Sequence, residues 1–324
     1  MKVGFTSSLP VEVIFAAGHT PVDLNNIFIN NAPMELVENA EYAGYPRNIC
    51  AWIKGIYSTV LQHDIDAMIG VMEGDCSNTH SLMWTLQDQG IEVIPFAFPY
   101  DKDPAKLDNE ISKLEAHFQT SRIEVQACKT RLDKIRKKLI YLDKLTYQKQ
   151  LVSGFENHYW LVNSSDFWGD PDKFEKDLDR FLSEAEKRKP IYCKHRLAYL
   201  GVPPIIPDLY DYLQSLGCLV VFNEIQRQFS MPYLADNIID QYLHYTYPYS
   251  IFERLEDIKP AIEQRAIDAC LSYAQAFCHR QIDTMLIKKH IDIPVLMIEG
   301  DNPQPLDNRT KIRLESFVDM LDHR

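Results

Sequence analysis

Two cysteines occupy matching positions in two similar stretches of the sequence. Cys76 lies ten residues after Asp66 in DAMIGVMEGDCSNTHSLMWTLQDQGIEVIPF, and Cys278 lies ten residues after Asp268 in DACLSYAQAFCHRQIDTMLIKKHIDIPVLMI. In both stretches an Asp-Ala pair opens an apolar segment, and an isoleucine fifteen residues after the cysteine opens the next one. This repetition indicates an internal duplication that produces two similar domains.

The expected position of both cysteines favours ligand binding. Each follows the carboxyl end of a predicted parallel strand and precedes a predicted helix, and open α/β sheets bind ligands at that edge. The positive end of the following helix is expected to stabilise a thiolate and so to lower the pKa of the thiol. One buried cysteine at a strand end is commonly structural, but two at equivalent positions favour a shared site.

A third cysteine, Cys50, has no counterpart in the second half. It lies in a loop that leads into a predicted helix, and the duplication aligns it with Phe252. Three thiolates without a nearby fourth predict a 4Fe-4S cluster at the seam between the halves, with one iron open to water or substrate. Zinc is the competing metal, although the C-x2-C and H-x3-H spacings of structural zinc sites do not occur.

The remaining cysteines fall within helix or strand patterns and are predicted to be structural, with Cys193 the weakest case for that role. They are Cys128, Cys193, Cys218 and Cys270.

The elements that must position these thiols alternate between strand and helix. Strands are predicted at 2–6, 67–72, 92–98, 196–200, 219–223, 269–274 and 295–299, and helices at 10–17, 78–89, 207–216, 281–290 and 309–321. Such alternation predicts an α/β fold with parallel sheets and helices on both faces. We predict a first α/β lobe at 1–103 with Cys50 and Cys76, a helical connecting segment at 104–189, and a second lobe at 190–324 with Cys278.

Composition excludes several classes of protein. The 324 residues are 46% hydrophobic and 25% charged, as in ordinary globular proteins, and the net charge of −12 disfavours nucleic-acid binding. The basic segment KTRLDKIRKK (129–138) is interpreted as a solvated helix face. Neither a signal peptide nor a membrane span is recognisable, so we expect a cytoplasmic protein with reduced cysteines.

Longer stretches resemble a known family. They are LPVEVIFAAGHTPVDL (9–24), PRNICAWIKG (46–55), EGDCSNTH (73–80), RLAYLGVPPIIPDLYDYLQSLGCLVVFNE (196–224) and AQAFCHRQIDTMLIKKHIDIPVLMIEGDNPQPLDNRTKIRLESFVDML (274–321). They cover most of the chain in the expected order. The sequence resembles the 2-hydroxyacyl-CoA dehydratase and benzoyl-CoA reductase superfamily, in particular subunits related to the D-component of 2-hydroxyglutaryl-CoA dehydratase.

The resemblance implies two Rossmann- or flavodoxin-like lobes that hold a cluster through the positions of Cys50, Cys76 and Cys278. It implies low-potential radical chemistry on an acyl-CoA substrate under anaerobic conditions, with electrons from a separate ATP-dependent iron–sulfur activator. In the dehydratases a ketyl radical anion makes β-proton loss and hydroxide elimination possible. Relatives form heterodimers with a paralogous subunit or homodimers, some with a double-cubane cluster, so substrate and assembly stay open.

Several other residues are candidates for chemistry. Glu156 and His158, in GFENHYWLVNSSDFWGD (154–170), are proposed as a general acid–base pair, with a capped helix end as the alternative. His279 and, less directly, His80 are candidates to hydrogen-bond the cluster.

Five charged positions complete the prediction. Arg47 and Lys54 flank Cys50 and are expected to offset cluster charge, whereas Arg309 and Arg313, with Glu315, are candidates either to bind a CoA phosphate or an acidic activator or to form structural ion pairs. No Walker A or GxGxxG motif occurs, so this chain is not expected to bind ATP itself. The rival hypotheses are a non-catalytic electron-transfer or scaffold subunit and a zinc-holding structural protein.

Overall fold

Two four-stranded sheets form the framework of the protein, as seen in a computed structural model that describes residues 1–324. The first contains β1 (Lys2–Phe5), β2 (Thr20–Asp23), β3 (Ala67–Glu73) and β4 (Glu92–Ala97). The second contains β5 (His195–Leu200), β6 (Cys218–Asn223), β7 (Ala269–Gln275) and β8 (Val295–Gly300). The strand orders are β2-β1-β3-β4 and β6-β5-β7-β8, and every neighbouring pair is parallel.

The identical strand orders confirm the predicted α/β fold with two similar lobes. In each sheet the chain starts in a central strand, moves to one edge, and then crosses back, which is the order of flavodoxin-like sheets. β3 and β7 are mostly apolar and largely buried because parallel strands are covered on both faces. Asp66 and Asp268 also play the same part, since each carboxylate accepts a backbone N–H from the start of the adjacent strand at 2.7 Å.

The strands of the first sheet were predicted less completely than those of the second sheet. Its helices are α1 (Val11–Ala16), α2 (Leu24–Asn30), α3 (Pro33–Tyr42), α4 (Ala51–Gln62) and α5 (Asn78–Asp88). The strand β2 had no predicted counterpart because its sequence, TPVD, is short and contains Pro21. Proline is tolerated there because β2 lies at the edge of the sheet, where the missing N–H leaves no ladder bond unmade.

The segment between the sheets is helical, as predicted. It forms α6 (Pro104–His117), α7 (Arg122–Tyr147), α8 (Gly154–Val162) and α9 (Pro171–Ala185). Capping boxes begin α7 at Ser121 and α8 at Ser153, so the first backbone N–H groups of both helices are satisfied by side chains. Leu139, Trp160 and Phe174 belong to the shared core of this segment.

The second lobe continues the alternation. Its helices are α10 (Leu209–Ser215), α11 (Glu224–Phe229), α12 (Ile238–His244), α13 (Ile251–Gln264), α14 (Asp283–His290) and α15 (Asn308–Asp322). The predicted helix at 281–290 begins at Asp283 because the chain first makes a tighter 3₁₀ turn at His279–Gln281. Such turns are common at the start of α-helices.

The apolar cores cross between the lobes. The segment 225–249 of the second lobe packs in one core with β1 and β3 of the first sheet. Ile225 and Tyr242 are among the residues that it contributes. In the opposite direction, Phe28 and Leu36 of the first lobe pack in one core with β5 and β7. These shared cores hold the two sheets against one another. The predicted domain boundaries at residues 103 and 189 stay predictions.

Candidate functional site

A cavity of about 320 Å³ lies between the two lobes, at the carboxyl ends of their strands. Its lining includes the loops that follow β1, β3 and β7 and the beginning of α4. Cys50, Cys76 and Cys278 all line this one cavity. The structure therefore brings together the three thiols that the sequence singled out, and no fourth cysteine lines the cavity.

Cys76 and Cys278 are held in equivalent ways. Each lies three residues beyond the end of the third strand of its sheet, β3 or β7. Each carbonyl oxygen accepts a backbone N–H from the turn that follows, from Thr79 at 3.0 Å and from Gln281 at 3.2 Å. The duplicated strand–loop unit thus presents one thiol to the cavity from each side.

Cys50 is the buried N-cap residue of α4. The corresponding N-cap in the second lobe is Ser250, at the start of α13. The alignment with Phe252 expected from the sequence is offset by two residues because α13 has 14 residues and α4 has 12. Serine at the equivalent position confirms that the third thiol belongs to the first lobe alone.

Burial determines the acidity of the three thiols. It raises the pKa of Cys50 to about 12 and that of Cys76 to about 11, and it also raises the pKa of Cys278. Backbone N–H groups of Trp52 and Asn78 favour the thiolates but are outweighed. The expectation that the following helix would lower the pKa of Cys76 and of Cys278 was therefore wrong, because desolvation of the charged form is the larger effect.

The two cysteine loops are joined across the seam. Arg280 donates a hydrogen bond of 2.8 Å to the carbonyl oxygen of Tyr247 and lies over its ring, 4.6 Å from the centroid. The Tyr247 hydroxyl in turn donates to Asp75 at 2.9 Å. This chain of contacts connects Asp75, the residue directly before Cys76, to Arg280 in the Cys278 loop of the other lobe, so the two thiols are positioned relative to each other.

Cysteine is a donor type that suits iron–sulfur clusters and zinc alike. No group of three His, Cys, Asp or Glu side chains lies close enough together to hold a single metal ion. The three thiols instead lie around the cavity. The donor set therefore fits a cluster by its chemistry, and the cluster itself is treated below as a proposal.

The proposed acid–base pair is separated. His158 lines the cavity, its ring 5.1 Å from that of Tyr210, and its buried Nδ1 has no hydrogen-bond partner. Burial lowers the pKa of His158 to about 3, so the ring is neutral near pH 7. Glu156 does not line the cavity; it caps the Ser153 N–H at 2.9 Å and pairs with Arg188 at 2.7 Å.

The other candidate histidines do not line the cavity. The Nε2 atom of His80 lies 3.2 Å from the carbonyl oxygen of Met72. His279 follows Cys278 in the 3₁₀ turn, and burial together with the charge of Arg280 lowers its pKa.

Charged residues expected near the cluster have other partners. Lys54 is buried and donates to Glu41 at 2.7 Å, and Arg47 lies 3.7 Å from the same carboxylate. Glu41 thus balances both cations, and neither lines the cavity.

On α15, Arg313 and Glu315 form hydrogen bonds with other parts of the second lobe. Arg313 donates to the carbonyl oxygen of Met297, and Glu315 accepts from Tyr212. Arg309 also stands outside the cavity.

The basic segment at 129–138 is not wholly solvated. Lys129 and Arg136 are buried and pair with Asp133 at 2.6 and 3.0 Å, and Arg136 also pairs with Glu12 at 2.7 Å. The interpretation as a solvated helix face was wrong for these two residues, since both are buried and the carboxylates of Asp133 and Glu12 compensate their charges.

The cysteines predicted to be structural stand apart from the cavity. Cys218 and Cys270 are buried within β6 and β7, and Cys128 lies on α7 against the core of the helical segment. The Cys193 thiol donates to the carbonyl oxygen of His195.

Several polar residues of the cavity were not anticipated. Thr6, Ser7 and Ser8 follow β1 directly, at the ligand-binding edge of the sheet, and this position was a usable signal. Asp23 and Tyr247 also line the cavity. No local pattern pointed to these two, because β2 and the segment around 247 were not predicted.

Comparison with known families agrees with this architecture. The family model for 2-hydroxyglutaryl-CoA dehydratase, D-component, matches residues 6–321, which is nearly the whole chain. The chain belongs to this family. It is therefore a 2-hydroxyacyl-CoA dehydratase-like component, and the family match spans all three cavity thiols.

Two further findings accompany this assignment. No curated protein matches the chain. Among its helices, none combines the length and the apolar character that crossing a membrane requires.

Proposed function

We propose that this chain is the cluster-bearing component of a 2-hydroxyacyl-CoA dehydratase-like or benzoyl-CoA reductase-like enzyme, with Cys50, Cys76 and Cys278 as ligands of a 4Fe-4S cluster. The observation that carries the proposal is that three thiols from both lobes line one cavity. Family membership supports the class of enzyme.

A cluster held by three thiols has one iron without a protein ligand. When bound, it would supply low-potential one-electron chemistry and a Lewis-acidic iron for an oxygen of the acyl-CoA. The chain itself would keep water out with the apolar wall that includes Trp52, Ile56 and Phe229. Thr6, Ser7 and Ser8 offer hydroxyl groups to orient a polar substrate group.

His158 is our candidate for handling a proton in the cavity. A neutral imidazole can accept a proton at one nitrogen while the other donates, and its Nδ1 is free to do so. Glu156 contributes to this role only through the capping of α8, the helix that carries His158.

We further propose that a separate ATP-dependent iron–sulfur activator delivers electrons, and that the chain pairs with a second copy or with a paralogous subunit. Both proposals follow from family membership. Sedimentation of the anaerobically purified chain, alone and with such an activator, tests them: a monomer that never associates with either would contradict them.

The cluster has a direct test. Anaerobically purified protein is expected to contain iron and sulfide and to give an EPR signal after reduction. Serine at Cys50, Cys76 or Cys278 should remove the iron, whereas Cys128→Ser, as the matched control outside the cavity, should retain it. Stoichiometric zinc in place of iron, or iron loss confined to Cys128→Ser, would refute the ligand set.

The competing hypothesis is a non-catalytic subunit whose cluster relays electrons or supports assembly. The size and apolar lining of the cavity favour a substrate site instead. Adding reductant, activator and candidate acyl-CoAs separates the two: a substrate-dependent radical signal supports an enzyme, and a cluster that is reduced without any response to acyl-CoA supports a relay.

A further inference from the structure

The cavity that holds the three thiols also has a distinctive electrostatic character. No lysine or arginine is among its lining residues. Apart from the thiols, its titratable side chains are two acids, one histidine and three tyrosines: Asp23, Asp75, His158, Tyr159, Tyr210 and Tyr247. The acids are neutral or negative at any pH and never positive.

The histidine does not change this balance. Burial keeps His158 neutral near pH 7, and the groups that face it are the rings of Phe155 and Tyr210, at 6.1 and 5.1 Å. Arg280 is outside the lining; it donates to the carbonyl oxygen of Tyr247 and lies 3.9 Å from Asp283. The lining therefore offers no cation to a negatively charged group inside the cavity, and the charge of Arg280 already acts on Asp75 and Cys278.

The rest of the wall is apolar or aromatic. It is built from α4, α8, α11 and the loop after β5, and it includes Trp52, Ile56, Phe155, Pro204, Ile206 and Phe229. Phe155 meets Tyr210 edge to face, with 62° between the ring planes. Such a wall gains from covering methylene groups or an aromatic ring.

These features bear on the acyl group, given the proposed function of the cavity as the substrate site. We propose that the cavity takes an acyl-CoA whose acyl group is uncharged and apolar, aliphatic or aromatic, and that it discriminates against an acyl group ending in a carboxylate. The glutaryl group in the family's name ends in such a carboxylate, so membership of the family does not carry that substrate over to this chain.

The expected discrimination is large. A carboxylate that loses its hydration without gaining a cation is expected to weaken binding by about 100-fold or more. Each further methylene buried against the wall is expected to tighten binding about fourfold. Affinity should therefore rise with apolar chain length and fall sharply when a terminal carboxylate is added.

The test compares two CoA esters of equal length, hexanoyl-CoA and adipoyl-CoA, which differ by the terminal carboxylate. Binding is measured anaerobically on the complete, cluster-loaded protein by calorimetry, without reductant, so no turnover is needed. Hexanoyl-CoA should bind about 100-fold more tightly than adipoyl-CoA, and butyryl-CoA should lie between hexanoyl-CoA and free CoA.

A variant sharpens the comparison. Asn30 is an exposed residue of the cavity lining, so Asn30→Arg adds a cation without disturbing a core. It should reduce the preference for hexanoyl-CoA over adipoyl-CoA at least tenfold, whereas Asn31→Arg, on a neighbouring residue outside the lining, should keep the wild-type preference. Equal affinity of the wild type for both esters would overturn the proposed acyl class and leave the enzyme assignment intact. If neither ester binds more tightly than free CoA, the cavity is not the substrate site and the proposed function fails with it.

Discussion

Two buried carboxylates, Asp23 and Asp166, lie side by side without a cation. Asp166 accepts the Asp23 backbone N–H at 2.8 Å and the Trp168 N–H at 2.9 Å. Asp23 accepts from the Ser165 hydroxyl and from the Asn25 N–H. Burial, followed by the charge of Asp23, raises the pKa of Asp166 to about 7, and burial also raises the pKa of Asp23.

The sign of the resulting pH dependence follows from proton binding. The unfolded chain releases the Asp166 proton near pH 4, whereas the native protein retains it up to about pH 7. The contribution of Asp166 to stability is therefore fully present below pH 4 and is lost as the pH rises towards 7. A shift of about three pKa units corresponds to a loss of up to about 4 kcal/mol.

The substitution Asp166→Asn removes the titration. At pH 5 the variant should be less stable than the wild type by about 1 kcal/mol, because an amide offers one acceptor oxygen to two backbone N–H groups. At pH 8.5 this deficit should vanish or reverse, because the wild type then buries a charge. Urea unfolding midpoints at the two pH values measure the difference, with the exposed Asp292→Asn as control. Parallel pH dependences of Asp166→Asn and wild type would refute the reasoning.

Three further outcomes are expected. Arg254→Met should lower the free energy of unfolding by about 3–5 kcal/mol, because it leaves the fully buried Glu224 without its partner at 2.6 Å; a cost below about 1 kcal/mol in urea titrations would contradict this. Gly74→Ala should lower iron content, because Gly74 has φ +92° and an added Cβ would lie 2.5 Å from that of Pro248; an unchanged iron-to-protein ratio would show that the Cys76 loop tolerates it. Glu156→Ala should cost about 1 kcal/mol through the lost cap and keep its iron, and iron loss would point to a role beyond capping.

Two of the three thiols could be found from sequence because duplication is a strong signal. Cys76 and Cys278 repeat the same spacing from an aspartate, and the structure places both aspartates and both cysteines equivalently. The equivalent strands β3 and β7 were predicted for the same reason that they form, since mostly apolar strands are buried on both faces of a parallel sheet.

Two polar residues of the cavity, Asp23 and Tyr247, could not be found from local sequence patterns. Asp23 ends an edge strand of only four residues, and Tyr247 lies in a segment that shares its core with strands more than a hundred residues away. The pKa direction of the thiols was mispredicted for a related reason: a helix start is visible in sequence, but the depth of burial depends on how the two lobes meet. The cavity residues and the thiol burial that the sequence did not predict depend mainly on contacts between the two lobes.

The exchange of core residues between the lobes has a consequence for biosynthesis. Val3 and Ile69 of the first sheet share their core with Ile238 and Tyr245, so the first lobe cannot bury that face while the ribosome is still synthesising the residues before 238. Folding of the amino-terminal half should therefore wait for the carboxyl-terminal half to emerge. A fragment ending near residue 190 should be digested rapidly by protease, whereas the full chain resists, and the seam should be among the last parts of the molecule to form.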